Sequence, residues 1–123
     1  MAKLTVTTLA QQTKSSLASG TTLTNLGSFS LPAGRWMLNV SVKYPTNATG
    51  RRYMNISLSS AGTDYGISYM DDRKAVTGGV TICSMHCWMK VTSTTTFYVN
   101  GYQNSGSTLS NIYVNVNYIG MPD

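Results

Sequence analysis

The chain contains no glutamate and only one histidine, His86, and its carboxylate side chains are Asp64, Asp71, Asp72 and Asp123. Acid–base and nucleophilic catalysis need titratable groups that can meet. So small a set, with no glycine-rich phosphate loop and no nucleophile elbow, predicts a non-enzymatic chain without catalytic residues or a cofactor. His86 sits in a strand pattern beside Ser84 and Trp88 and is assigned a structural or interface role. Asp71 and Asp72 read as solvated neighbours in a turn, and two side chains offer calcium too few oxygen ligands.

Cysteine is almost as scarce. Cys83 and Cys87 fall four apart in a segment that reads as a strand, which separates their Cα atoms by about 13 Å. A disulfide needs less than about 7 Å, so both are expected to be free, and with one histidine no zinc site is expected. No apolar run approaches the roughly 20 residues of a membrane-spanning helix, and the first residues lack the apolar core of a secretory signal. The expectation is a chain made and kept soluble, without membrane insertion.

Charge is also low, at 11% of residues, against about a quarter in ordinary soluble domains. The net charge is +5, but the nine basic residues are scattered with no run longer than two. A groove that follows a phosphate backbone wants a clustered stripe with stacking aromatics. No nucleic-acid partner is therefore expected.

What the chain has instead is threonine, serine, asparagine and glycine in every segment, residues that favour strands or turns over helix interiors. Its 123 residues make one domain that buries roughly two-thirds of its unfolded surface. Period-two alternation marks half-buried antiparallel strands. Over 36–44, Trp36, Leu38, Val40, Val42 and Tyr44 share a face. Over 52–59, Met54, Ile56 and Leu58 point inward. Over 97–102, Phe97 and Val99 oppose Tyr98, Asn100 and Tyr102, and over 111–119, Ile112, Val114, Val116 and Tyr118 oppose Tyr113, Asn115 and Asn117. In 80–91 the phase slips between Val80 and Ile82 and the later Met85, Cys87, Met89 and Val91, which reads as a β-bulge or as burial on both faces. A weaker segment runs from Tyr65 to Met70, followed by a turn carrying Asp71, Asp72, Arg73 and Lys74. The one weak helical candidate is Thr7 to Leu17, for which an extended arm is equally good. The pattern predicts an antiparallel β-sandwich.

Three Asn-x-Ser/Thr triplets, at Asn39, Asn47 and Asn55, are expected by chance in so hydroxyl-rich a chain. More unusual are Tyr53, Tyr98, Tyr102 and Tyr113, which stand opposite the aliphatic stripes where a monomer presents plain polar residues. Tyrosine is enriched at interfaces, which points to a sheet covered by another copy of the chain. The alternative is scattered exposed tyrosines, which are common.

The segment Leu31-Pro-Ala-Gly-Arg-Trp before an alternating strand, then Asn47-Ala-Thr-Gly-Arg-Arg-Tyr, and later Tyr102-Gln-Asn-Ser-Gly before the last strand, resembles the C1q/TNF-like jelly rolls of bacteriophage tail-fibre tips and receptor-binding proteins. The likeness covers roughly residues 22 to 121. It departs from that group at Ser93 to Thr96, where many members carry a Gly-Asp pair. The resemblance implies a homotrimeric all-β jelly roll over 22–123, with residues 1–21 as an arm or strand leading into the trimer and the tyrosines at its axis. It further implies a virion protein, assembled in the bacterial host cytoplasm beside other virion proteins, that binds a host surface glycan or protein. The loops at 45–52, 62–74 and 102–108 are the expected receptor contacts, since binding residues concentrate on loops held by a scaffold. Their polar candidates are Arg51, Arg52, Asp71, Asp72, Arg73 and Asn104, with Arg52 also placed to fix its turn. A structural capsid decoration or head fibre is the alternative.

Overall fold

The computed structural model describes residues 3–60 and 69–123, and among them every regular element is a strand. In chain order they are β1 (Thr5–Thr8), β2 (Gln12–Leu17), β3 (Thr24–Leu31), β4 (Gly34–Tyr44), β5 (Arg51–Ser57), β6 (Tyr69–Lys74), β7 (Thr81–Val91), β8 (Thr95–Gln103) and β9 (Leu109–Pro122). One sheet runs β1-β9-β4-β7, with β2 also on β9, and the other runs β3-β8-β5-β6. All these pairings are antiparallel. From β2 to β5 successive strands alternate between the sheets, as they do again from β6 to β9. That interleaving is the order of a jelly roll.

The alternation read from the sequence builds the core. Trp36, Leu38, Val40, Val42 and Tyr44 of β4 and Ile112, Val114, Val116 and Tyr118 of β9 face inward, against Met54, Ile56, Phe97 and Val99 of the other sheet. Trp36 meets Tyr118 edge-on at 5.0 Å, and its indole N–H donates to the Pro32 carbonyl at 2.8 Å, so its polar tip is satisfied while its ring is buried. Gly120 is required where β9 passes β4, because a Cβ there would lie 1.9 Å from the Arg35 carbonyl oxygen.

Side chains bridge the two sheets at both open sides of the sandwich. On one side the Gln12 amide donates to the Ser28 carbonyl at 2.7 Å and accepts from the Ser28 N–H at 3.0 Å. On the other, the Ser84 N–H donates to Asp71 at 2.8 Å and the Val76 N–H to the Thr81 hydroxyl at 2.9 Å. The Ser28 and Ser84 edge groups, which could otherwise pair with another chain, are thereby occupied.

Three expectations are corrected, and the open choice between helix and extended arm over Thr7 to Leu17 is resolved to the extended form. The helix candidate at Thr7 to Leu17 is instead β1 and β2 laid end to end along β9, with the Leu9 N–H donating to the Val116 carbonyl at 3.0 Å. A hydroxyl-rich segment has little helix preference, and the edge of β9 offers it a ladder. β5 stops at Ser57, whose hydroxyl donates to the Ser59 carbonyl, so Leu58 is exposed rather than inward. The supposed turn at Asp71 to Lys74 lies within β6. β7 pairs with β4 without a slip from Thr81 to Val91. Its phase change therefore reflects neither a bulge nor two buried faces, because Val80 and Ile82 are simply exposed. The single bulge in a ladder among the described residues interrupts β3 between Asn25 and Gly27. Asp64 and the segment from Tyr65 lie outside the described residues up to Ser68.

Candidate functional site

Cys83 and Cys87 are both free thiols, and both take the inward parity of β7. Burial pushes the Cys83 thiol up to about 12, with the nearby Asp71 carboxylate adding to the effect. Among the described residues no three His, Cys, Asp or Glu side chains gather as a metal site. Chemistry outside the core therefore rests on the outer faces of the two sheets.

On the four-stranded sheet, Tyr53 and Tyr102 are register partners and their rings stack at 5.0 Å with planes 7° apart. Tyr98 follows on the same face of β8, opposite Ser28 and Ser57. Between these rows lies an amide ladder: Asn25 Nδ2 donates to Asn100 Oδ1 at 3.3 Å, and Asn100 Nδ2 donates to Ser57 Oγ and the Ser59 carbonyl, both at 3.0 Å. Tyr113 is not part of this face. It pairs with Lys43 and Thr13 on the outside of the five-stranded sheet. The four tyrosines hence do not share one surface, because strand-by-strand alternation places a side chain outside its own sheet without saying which sheet that is.

The receptor candidates separate in the same way. Arg52 is fully buried and donates to the carbonyls of Thr49 and Asn47 at 2.8 Å and of Arg51 at 3.1 Å. It fixes the turn before β5 and is unavailable to a ligand. Desolvation lowers its pKa from the ordinary guanidinium value. Asp71 turns to β7 and pairs with Arg73 at 2.7 Å. Arg51, Asp72 and Asn104 do come together: Arg51 Nε meets Asp72 at 2.9 Å and the Arg51 N–H donates to Asn104 Oδ1 at 2.6 Å. The hydrogen bond to Asp72 raises the Arg51 pKa. Gly50 completes this corner with a φ of 80° where a Cβ would strike the Asn104 backbone.

On the outer face of the five-stranded sheet the sequence points to Tyr113 and His86 but not to their neighbours. An apolar row crosses it from Val6 through Ile119 and Met37 to Trp88. Trp88 is 68% exposed. With Arg35, Met89 and Lys90 it lines a cleft of about 190 Å³. The next rows are Asn117, Asn39 and His86, then Asn115, Ser41 and Ser84. At the far end Lys43, Tyr113, Thr46, Val80 and Asn111 line a second cleft, of about 350 Å³. The available signal was parity: Ile82, Ser84, His86, Trp88 and Lys90 share the outward phase of β7.

Comparison with known proteins yields no matching family model and no matching curated protein. Solved structures do share the fold. A particle of infectious bursal disease virus matches 98% of this chain at TM-score 0.59 and 11% identity, and the Gx strain of that virus matches 99% at 0.54 and 12%. The chain spans 35% and 38% of the lengths of those proteins. A subunit of Bacillus endospore appendages, which form disulfide-linked pili, matches all of this chain and 92% of its own length at TM-score 0.52 and 9% identity. At such identities the likeness is one of fold: an all-β antiparallel sandwich of the jelly-roll kind seen in viral structures.

Proposed function

We propose that the chain is a non-enzymatic, self-associating virion module that attaches a bacteriophage to a host surface glycan or protein, as the tip of a tail fibre does. The observation that carries this reading is the make-up of its outer faces. Both sheets carry aromatic, amide and aliphatic side chains on their outer faces, Tyr53, Tyr98 and Tyr102 on one and Trp88, Met37, Ile119 and Tyr113 on the other, with few charges among them. The cysteines face the interior, which speaks against the disulfide linkage of the endospore pili. A capsid decoration or head fibre is the second reading, favoured by the viral particles that share the fold.

In this reading three copies associate through the four-stranded sheet, with Tyr53, Tyr98 and Tyr102 at the contact, the number three coming from the tail-fibre resemblance. Tyr113 stays outside. Light scattering is expected to return the mass of three chains, reduced to one by Tyr98→Asp and unaffected by Tyr113→Asp. The mass of one chain for the unaltered protein refutes self-association. Fluorescently labelled protein is expected to adsorb to some strains in a bacterial panel. Adsorption to none, with the protein found on purified phage heads, establishes the capsid reading.

A further inference from the structure

Several surfaces compete as further sites. The corner of Arg51, Asp72 and Asn104 is already held together by its own ion pair and hydrogen bond. The tyrosine face is occupied by self-association in the reading above. The outer face of the five-stranded sheet differs from both, because among the described residues no ion pair or side-chain hydrogen bond occupies its central amides and cations.

Its five strands contain no aspartate or glutamate. The cations on its outer side, Arg35, Lys43 and Lys90, have no ion-pair partner among the described residues. Three copies meeting on this face would crowd like charges around an axis, which disfavours self-association here. Anionic partners are favoured for the same reason. The half-buried amides of Asn39, Asn115 and Asn117, in the middle of the face, make no side-chain hydrogen bond within the described residues. They hold donors and acceptors toward the outside in a fixed array. An exposed indole at the edge of that array, flanked by two cations in a cleft of about 190 Å³, has the dimensions of a site for one ring.

Indole faces stack on the C–H face of a pyranose, and amides pair with hydroxyls in both directions. A single-stranded nucleic acid would need cations along its whole path. Here neutral Asn and Ser rows separate the Arg35–Lys90 end from Lys43, about 26 Å away along β4. Charge at the ends and amides between them suit a hydroxyl-rich chain with spaced carboxylates.

We infer that this face binds an acidic oligosaccharide, with Trp88 stacked on one pyranose, Arg35 and Lys90 paired with its carboxylate, and Asn39, Asn115 and Asn117 taking hydroxyls. The inference rests on the attachment reading and moves the contact from the loops to the sheet. The probe is a short oligogalacturonate, with its methyl ester as the uncharged control, titrated into the full chain by calorimetry. Binding is expected, weakened about tenfold or more by esterification and by Trp88→Ala or Arg35→Ala, and weakened by salt. These side chains are exposed, so circular dichroism of both variants should match the parent. Equal affinity for the ester, unchanged affinity in both variants, or no binding by the unaltered protein overturns the proposal. Tighter binding of an oligothymidylate overturns it in favour of nucleic acid, and dissociation of the oligomer by Trp88→Ala overturns it in favour of a second copy. Adsorption to bacteria is measured in parallel: if it persists in Trp88→Ala the attachment reading stands and this site falls. If the unaltered protein adsorbs to none yet binds oligogalacturonate, the site stands and the attachment reading falls.

Discussion

Asparagine rows cross the outside of both sheets, yet the two rows behave oppositely. On the four-stranded sheet Asn25, Asn100, Ser57 and the Ser59 carbonyl satisfy one another, and Asn100 is fully buried. On the five-stranded sheet Asn39, Asn115 and Asn117 are half-buried and bond nothing through their side chains among the described residues. The charges follow the same division. Asp71 and Asp72 are paired with arginines on β6 and β5, whereas Arg35, Lys43 and Lys90 have no carboxylate in their sheet. The same residue types thus pair on one surface and stay available on the other, because a buried polar group loses free energy without an internal partner while one exposed to water does not; the buried Asn55 Oδ1 beside Asn100 is the exception, with no partner among the described residues.

Substitutions sharpen the contrast, beginning with the most severe. Arg52→Ala removes the buried guanidinium that gathers three carbonyls under the four-stranded sheet. A loss of about 3 kcal/mol or more is expected in urea unfolding, from the cavity and the orphaned acceptors together. Asn100→Ala breaks the satisfied ladder and should cost about 1–3 kcal/mol in the same assay. If it is neutral, the ladder contributes specificity without stability. Asn39→Ala and Asn117→Ala, by contrast, should stay within about 0.5 kcal/mol of the parent. A cost equal to that of Asn100→Ala would erase the difference between the faces.

The interior gives a pH test that the faces should not perturb. The fold holds Cys83 as a neutral thiol, with its pKa pushed from 9.0 up to about 12. The native state therefore keeps a proton that the unfolded chain releases, and its stability contribution is complete below pH 9 and lost as pH rises toward 12. Burial raises the Tyr44 phenol as well, so it acts in the same direction at still higher pH. Thermal midpoints should fall above pH 9, and fall less steeply in Cys83→Val. An equal slope in that variant would assign the alkaline loss to Tyr44 and Cys87, whose pKa values burial also raises.

Strand content and inward residues were legible because period-two alternation follows from strand geometry alone. The stripes of β4, β8 and β9 lie in the core as read from sequence. Leu58 escaped the pattern because Ser57 closes a local turn ahead of it, and Val80 and Ile82 misled because apolar side chains also occur outside. The free state of the cysteines followed from their spacing and extended backbone.

The sequence by itself determined the fold class, the alternating core and the poverty of titratable groups. These are properties of residue identity and local spacing. Tertiary structure alone decided which strand joins which sheet, and with that which outward residues share a surface. It separated Tyr113 from Tyr53, Tyr98 and Tyr102, buried Arg52 against the carbonyls of its own loop, and placed Arg35 opposite Lys90 beside Trp88. The physical reason is that a side chain's parity is set within its own strand, whereas its neighbours are set by pairing across dozens of residues, as Arg35 pairs with Lys90.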